Sequence, residues 1–162
     1  GTGLLSFALR DAFGTITLAD TSTGMLEVLR GKIAAAGIAH MQPLRIDLLA
    51  DPKPAERYDV VYSAMTLHHV ADTAALLQAF AGALYSAGRM GEVDLYAEDG
   101  SVHGGTEESA AKGVQHFGFA PEALQALAEQ AGFADIAFSP IQEMQHRNGR
   151  AYPLFLVTGG KP

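Results

Sequence analysis

His68 and His69 follow two residues after the apolar run Tyr58–Met65, and His103 and His116 stand in a stretch dense in Gly, Ser, Glu and His from Glu98 to Gly118. Imidazole changes charge near neutral pH, so these four are the candidate general bases, able to draw a proton from a hydroxyl or an acidic carbon. The plainer roles are packing or helix capping for the first two and solvated loop for the last two. Tyr96, Phe117 and Phe119 are candidates for an apolar pocket around an aromatic or lipid-like molecule, or for core beneath the loop. Asp94, Glu98, Asp99 and His103 offer oxygen and nitrogen ligands close in sequence, but without a helical HExxH pair or a calcium-loop pattern. A solvated acidic loop is expected there, and no metal.

At the other end of the chain, Gly1-Thr2-Gly3 precedes a helical pattern. Glycines let backbone approach a ligand closely, and a helix start offers free N–H groups. Asp20, at the end of the next strand pattern, stands where a nucleotide-binding sheet places a carboxylate for two ribose hydroxyls. Asp47 ends a further strand pattern in the same way, where a carboxylate can accept an adenine amine. Each alone also reads as a plain turn or an exposed strand-end acid; the succession of the three is the more specific signal.

The elements that must position these residues follow from periodicity. Apolar residues at helical spacing predict a helix over Leu4–Ala12, alternation predicts a strand over Thr15–Ala19 ending at Asp20, and Ser22 and Gly37 bracket a helix over Thr23–Ala36. Met41–Ile46 and the nearly continuous apolar Tyr58–Met65 predict strands, with the proline-bearing Asp51–Arg57 as a loop between them. Asp72 caps a helix through Leu84, Ser86-Ala87-Gly88 turns the chain, and Arg89–Leu95 is a strand. Glu98–Gly118 reads as a long loop, with Gly104-Gly105 as its hinge and residues 96–118 as a lid. Pro121 opens a helix to Ala131 that stops at Gly132, and Ile136–Phe138 and Pro153–Thr158 are two strands joined by the polar span Gln142–Arg150. Strands separated by helices predict an α/β domain over residues 1–162 with a mostly parallel sheet, helices on both faces and an antiparallel edge hairpin.

Composition narrows the function classes. The 162 residues carry 11 Lys and Arg against 18 Asp and Glu, a formal net charge of −7, which disfavours nucleic acid as a bulk partner. Cysteine is absent, which excludes disulfides, thiolate zinc sites and cysteine nucleophiles. No apolar stretch approaches the length needed to span a bilayer. A cytoplasmic protein is expected.

With these residues in order, the chain resembles the class I S-adenosylmethionine-dependent methyltransferases, in the small-molecule group that includes ubiquinone/menaquinone C-methyltransferase-like proteins. GTGLLSFAL resembles the second half of the family's glycine-rich first motif, and LADTSTGMLEVLRGKI its second strand, acid and helix. RIDLLADPKPAERYDVVYSAMTLHHV, ALYSAGRMGEVDL, HFGFAPEALQALAEQAGFADI and YPLFLVTGGKP resemble the rest of the domain in sequence. The resemblance implies S-adenosyl-L-methionine as cofactor and a small molecule as methyl acceptor. It implies that Gly1, Thr2 and Gly3 lie under the methionine part, Asp20 holds the ribose diol, and Thr21 and Met25 flank the adenosine. It further implies that Asp47 and Leu48 meet the adenine and that Ser63 and Ala64, with Leu67 and His68 beyond, line the methionine side near the sulfonium.

The family's first motif normally includes a preceding strand, an acid and an earlier glycine. This chain opens inside the motif, so the first central strand is expected to be absent, leaving unpaired edges on its two neighbours. Exchange between two chains of a homodimer is one way to close them. The alternative reading is a non-catalytic protein of this fold acting as a binding or assembly module. A nicotinamide-dependent oxidoreductase shares the glycine turn and the ribose acid, but expects GxGxxG where this chain has GTGLLS.

Overall fold

The computed structural model describes residues 1–162, the side chain of Thr106 excepted. The chain divides into two compact units, Gly1–Pro52 and Lys53–Pro162.

In the first unit the glycine turn leads into α1 (Leu4–Ala8) and then a separate 3-10 turn, Arg10–Ala12, in place of the single helix expected over Leu4–Ala12. Beside this turn the Arg10 carbonyl lies 3.0 Å from His40 Nε2. β1 (Ile16–Asp20) and β2 (Met41–Arg45) pair in parallel, with Ile16 opposite Met41 and Asp20 opposite Arg45. The crossover between them is α2 (Thr23–Ala36), bounded as its sequence signals predict. Ser22 Oγ accepts from the Met25 N–H at 3.3 Å, and Gly37 ends the helix in the left-handed conformation. Leu26, Leu29 and Ile33 form its buried stripe, and Ile16, Leu18 and Met41 are the buried strand residues of the unit.

The second unit is built on a four-stranded sheet. β3 (Tyr58–Ala64) pairs in parallel with β4 (Leu84–Leu95), and β4 pairs antiparallel with β6 (Ala151–Gly160). β5 (Ala134–Gln145) pairs antiparallel with β6, giving the order β3-β4-β6-β5. The helices are α3 (Thr73–Ala83), α4 (Thr106–Ala111) and α5 (Pro121–Gln130). Asp72 Oδ1 caps α3 through the Ala75 N–H at 2.8 Å, and Pro121 occupies the first turn of α5. Leu76, Leu77 and Phe80 of α3, Leu124 of α5, and Phe155 and Val157 of β6 are all buried.

The α/β architecture and the C-terminal antiparallel hairpin are those the sequence predicts, with sheets of mixed rather than mostly parallel pairing. Among the described residues β1 is paired with β2 alone and β3 with β4 alone. Three boundaries differ. The expected turn at Ser86–Gly88 is a bulge inside β4: Leu84 stands opposite Tyr58 and Arg89 opposite Val60, and Ala87, at φ 63°, donates its N–H to the Lys161 carbonyl. The expected hairpin strands, Ile136–Phe138 and Pro153–Thr158, are longer because the polar span joins the ladder as far as Gln145 opposite Ala151. The Glu98–Gly118 loop holds a 3-10 turn, Ser101–His103, and α4, whose polar sequence shows no apolar stripe.

Candidate functional site

The glycine turn and the first strand-end acid meet within the first unit. The backbone nitrogen of Gly1 contacts Asp20 Oδ2, and Asp20 Oδ1 accepts from the Ser22 N–H at 2.7 Å. Asp20 is the last residue of β1 and keeps a fifth of its side chain exposed. Gly3 has φ 80°, and a Cβ there would lie 2.7 Å from Leu29 Cδ1, so the turn is pressed against α2 as only glycine permits. The Thr2 carbonyl accepts from Lys32 Nζ at 3.2 Å, which ties the turn to the same helix. Thr21 is exposed and Met25 is 46% exposed, so core packing does not account for Met25. Two residues beyond β2, Asp47 closes a tight turn, Oδ1 accepting from the N–H groups of Leu49 (2.9 Å) and Ala50 (3.3 Å). Its own N–H donates to Asp51 Oδ2 at 2.8 Å. Asp47 and the adjacent Leu48 are half-buried.

In the second unit Ser63 and Ala64 are half-buried at the end of β3, Leu67 is fully buried in the following turn, and His68 to His69 complete that turn. Three of the four candidate histidines come together. Ring centroids are 4.2 Å apart for His68 and His69, 5.2 Å for His68 and His103, and 5.9 Å for His69 and His103. His68 is buried with Asp94: Nδ1 lies 2.7 Å from Oδ1, and the His68 N–H donates to Oδ2 at 3.2 Å. The Leu95 N–H donates to Asp94 Oδ1 as well, at 2.8 Å. His69 donates from Nδ1 to the Gly113 carbonyl at 3.2 Å. His116 lies apart from the trio, with Nε2 donating to the Val70 carbonyl at 3.0 Å and its ring 5.3 Å from that of Phe119.

His103 carries the unusual atom: its Nε2 is buried without a hydrogen-bond partner. Leaving such a group unpaired costs about 1–3 kcal/mol. Burial, with His68, His69, Lys112 and His146 nearby, lowers its pKa, so the ring is neutral at neutral pH. Glu92 was not anticipated from sequence. It stands opposite Ser63 across β3 and β4, fully buried, and neither carboxyl oxygen has a partner of full hydrogen-bond geometry. Burial first, and Asp94 second, raise its pKa well above the ordinary value, with the Ser63 hydroxyl pulling partly the other way. Its signal was alternation: Met90, Glu92 and Asp94 share one face of β4, and all three are buried.

Of the residues considered for a metal, Asp94 and Asp99 are engaged by other side chains. Asp94 is held by His68, while Asp99 takes Ser101 Oγ and Arg150 Nη1, the latter at 3.0 Å to Oδ2. These bonds hold the Asp99 carboxyl below the usual carboxylate range. Arg150 also donates to Ser101 Oγ at 2.6 Å, and Asn148 donates to the Ser101 carbonyl at 3.3 Å, so the β5–β6 turn is strapped to the turn after β4. Among the described residues no group of three His, Asp or Glu could hold a metal ion. Of the aromatic candidates, Phe119 is buried and bridges to Tyr96, whose ring meets Phe155 edge-on at 5.2 Å. Phe117 is half-buried, against Gly100. Among the described residues no helix is long and apolar enough to cross a membrane.

A family model described as a methyltransferase domain matches residues 1–90. No curated protein matches the chain. Among solved structures, the YcgJ protein of Bacillus subtilis is similar at 17% identity and TM-score 0.75, over 99% of this chain and 88% of that one. The N-methyltransferase NodS of Bradyrhizobium japonicum, in complex with S-adenosylhomocysteine, is similar at 15% identity and TM-score 0.72, over 99% and 74%. Phosphoethanolamine N-methyltransferase 2 of Haemonchus contortus, with phosphomonomethylethanolamine and S-adenosylhomocysteine, is similar at 17% identity and TM-score 0.77. This chain spans 47% of that protein's length. At these identities the likeness is one of fold.

Proposed function

Since the chain belongs to the methyltransferase-domain family, we propose that it transfers a methyl group from S-adenosyl-L-methionine to a small-molecule acceptor. The observation that carries this reading is the glycine turn pressed on α2, with Gly3 at φ 80° where a Cβ would lie 2.7 Å from Leu29 Cδ1, in the same unit as a carboxylate, Asp20, at the end of β1. A carboxylate at that position suits the two ribose hydroxyls of a nucleoside, and glycine backbone suits close approach of the attached chain. NodS and the Haemonchus enzyme, which share the fold, were both determined with S-adenosylhomocysteine, and that supports the same cofactor class. A non-catalytic role is not favoured by this match.

In this reading Gly1, Thr2, Gly3, Asp20, Thr21, Met25, Asp47 and Leu48 are the cofactor residues of the first unit. Asp47 meets the adenine amine with the carboxylate capacity its tight turn leaves over. Ser63, Ala64 and the fully buried Leu67 are those of the second unit. The cofactor, when bound, supplies a methyl group already activated on sulfonium, so the protein's part is alignment of the acceptor and removal of its proton. His68, His69, His103 and His116 are the acceptor-side histidines, and residues 96–118 are the lid of a single methyltransferase-like domain. A ubiquinone/menaquinone C-methyltransferase-like grouping, a homodimer and a cytoplasmic location belong to the same proposal.

Calorimetric titration of S-adenosylhomocysteine into the chain tests it. Binding is expected, weakened at least tenfold (about 1.4 kcal/mol) in Asp20→Asn, with the melting temperature of the variant reported alongside. No binding to the wild-type chain overturns the reading.

A further inference from the structure

Among the described residues, the buried side-chain atoms without a hydrogen-bond partner are both carboxyl oxygens of Glu92, Oε1 of Glu98 and Nε2 of His103. All lie on β4 and the turn that follows it. Native interiors leave few such atoms, and a buried one asks for a polar partner. Of these side chains, His103 is the one whose ordinary titration lies near neutral pH. Its ring packs on two imidazoles that are themselves fixed, His68 by Asp94 and His69 by the Gly113 carbonyl. Its own carbonyl is anchored by Lys112 Nζ at 2.8 Å.

We propose that His103 Nε2 accepts the proton of the methyl acceptor, that the acceptor's reacting group is an aromatic or enolic hydroxyl, and that the His68–Asp94 pair is a positioning element for this base. The proposal rests on the methyltransferase reading above.

The choice of hydroxyl follows from acidity. The charged and titratable groups around His103 carry both signs: His68 and His69 from the turn after β3, His146 from the β5–β6 turn, and Lys112 from the end of α4, which is itself paired with Glu108 at 3.3 Å. Asp94, bonded to His68, adds a carboxylate. An imidazole is a weak base, matched to a phenol-like hydroxyl of pKa about 10 and poorly matched to an alkanol. In the transfer the acceptor O–H bond breaks, its proton passes to Nε2 and its electron pair forms the new O–C bond. The C–S bond of the sulfonium donor breaks with its pair left on sulfur, and the imidazolium returns its proton to solvent. Nε2 is covered in the structure, so the acceptor reaches it only when the chain around it moves.

The test uses para-nitrophenol as probe, whose absorbance reports its ionisation, and nitrobenzene as the same ring without the hydroxyl. Wild-type chain is expected to bind para-nitrophenol at least tenfold more tightly than His103→Gln does, while the two bind nitrobenzene alike. In isotope-labelled wild-type chain the His103 ring nitrogens should shift on addition of the phenol and those of His40, bonded to the Arg10 carbonyl, should not, a readout that does not depend on the variant folding. His68→Gln should weaken phenol binding and alter the pH dependence of the His103 signals. Equal phenol binding by wild type and His103→Gln, no phenol binding at all, or unmoved His103 nitrogens overturns the proposal. S-adenosylhomocysteine is titrated into the same proteins: where it binds and the phenol result is negative, only this inference falls. Where it fails to bind wild type, the methyltransferase reading falls and takes this one with it.

Discussion

Glu92 sets a carboxyl inside an interior strand, between Ser63 on one side and Val157 on the other, and burial makes its charged form expensive. Its folded pKa is raised above the ordinary 4.5, so the folded chain binds a proton there that the unfolded chain has released. The sign follows: the contribution is fully present below about pH 4.5 and is lost as pH rises through the folded pKa, at up to about 1.4 kcal/mol per pH unit. Glu92→Gln should flatten this fall, read from denaturant unfolding between acid and neutral pH; an unchanged slope refutes it. The candidate histidines were legible as types, because imidazole next to an apolar strand is visible in the sequence. Their grouping was not: His68 meets Asp94 and His103 only when β3, β4 and the turn after β4 are assembled. Arg150 finds Asp99 and Ser101 by the same long-range route, which no local pattern announces.

Elements marked by local chemistry were read closely. α2 runs between its Ser22 cap and its Gly37 stop, and α3 starts at its Asp72 cap, because each boundary is set by a side-chain or backbone bond within three or four residues. Elements set by partners were not. β5 is mostly exposed and shows little alternation, so its length comes from the ladder with β6. The Glu98–Gly118 stretch is closed at its neck by the same kind of pairing: Glu98 donates to the Phe117 carbonyl at 2.8 Å, Ala97 to that of Phe119 at 3.0 Å, and Phe119 to that of Leu95 at 2.9 Å. Gly118 sits in that neck at φ 72°, where a Cβ would fall 2.2 Å from the Tyr96 carbonyl oxygen. Backbone cannot yield there as a side chain would, so Gly118→Ala should cost about 3 kcal/mol. Denaturant unfolding of the variant checks this, and a loss below about 0.5 kcal/mol, the ordinary surface scatter, would show that the neck is not a constraint.

Across the whole molecule the two units differ in how their strands are supported. β4 and β6 each have a paired strand on both sides, whereas β1 and β2 form a two-stranded pair. Amide hydrogen exchange should therefore be slower in β4 and β6 than in β1 and β2, by about tenfold or more, since strands flanked on both sides open only in larger unfolding events. Equal protection in the two sheets would show that the chain unfolds as one cooperative block. The sequence by itself determined the α/β class, the order of elements, the helix boundaries at Ser22, Gly37 and Asp72, and the strand-end position of Asp20. These depend on periodicity, capping and turn chemistry, which act over a few residues. Only the tertiary structure decided the bulge in β4, the reach of the final hairpin, the burial of Glu92 and the company of His103. Those depend on which distant strand lies alongside and on how far water is excluded, and neither property belongs to any short stretch of chain.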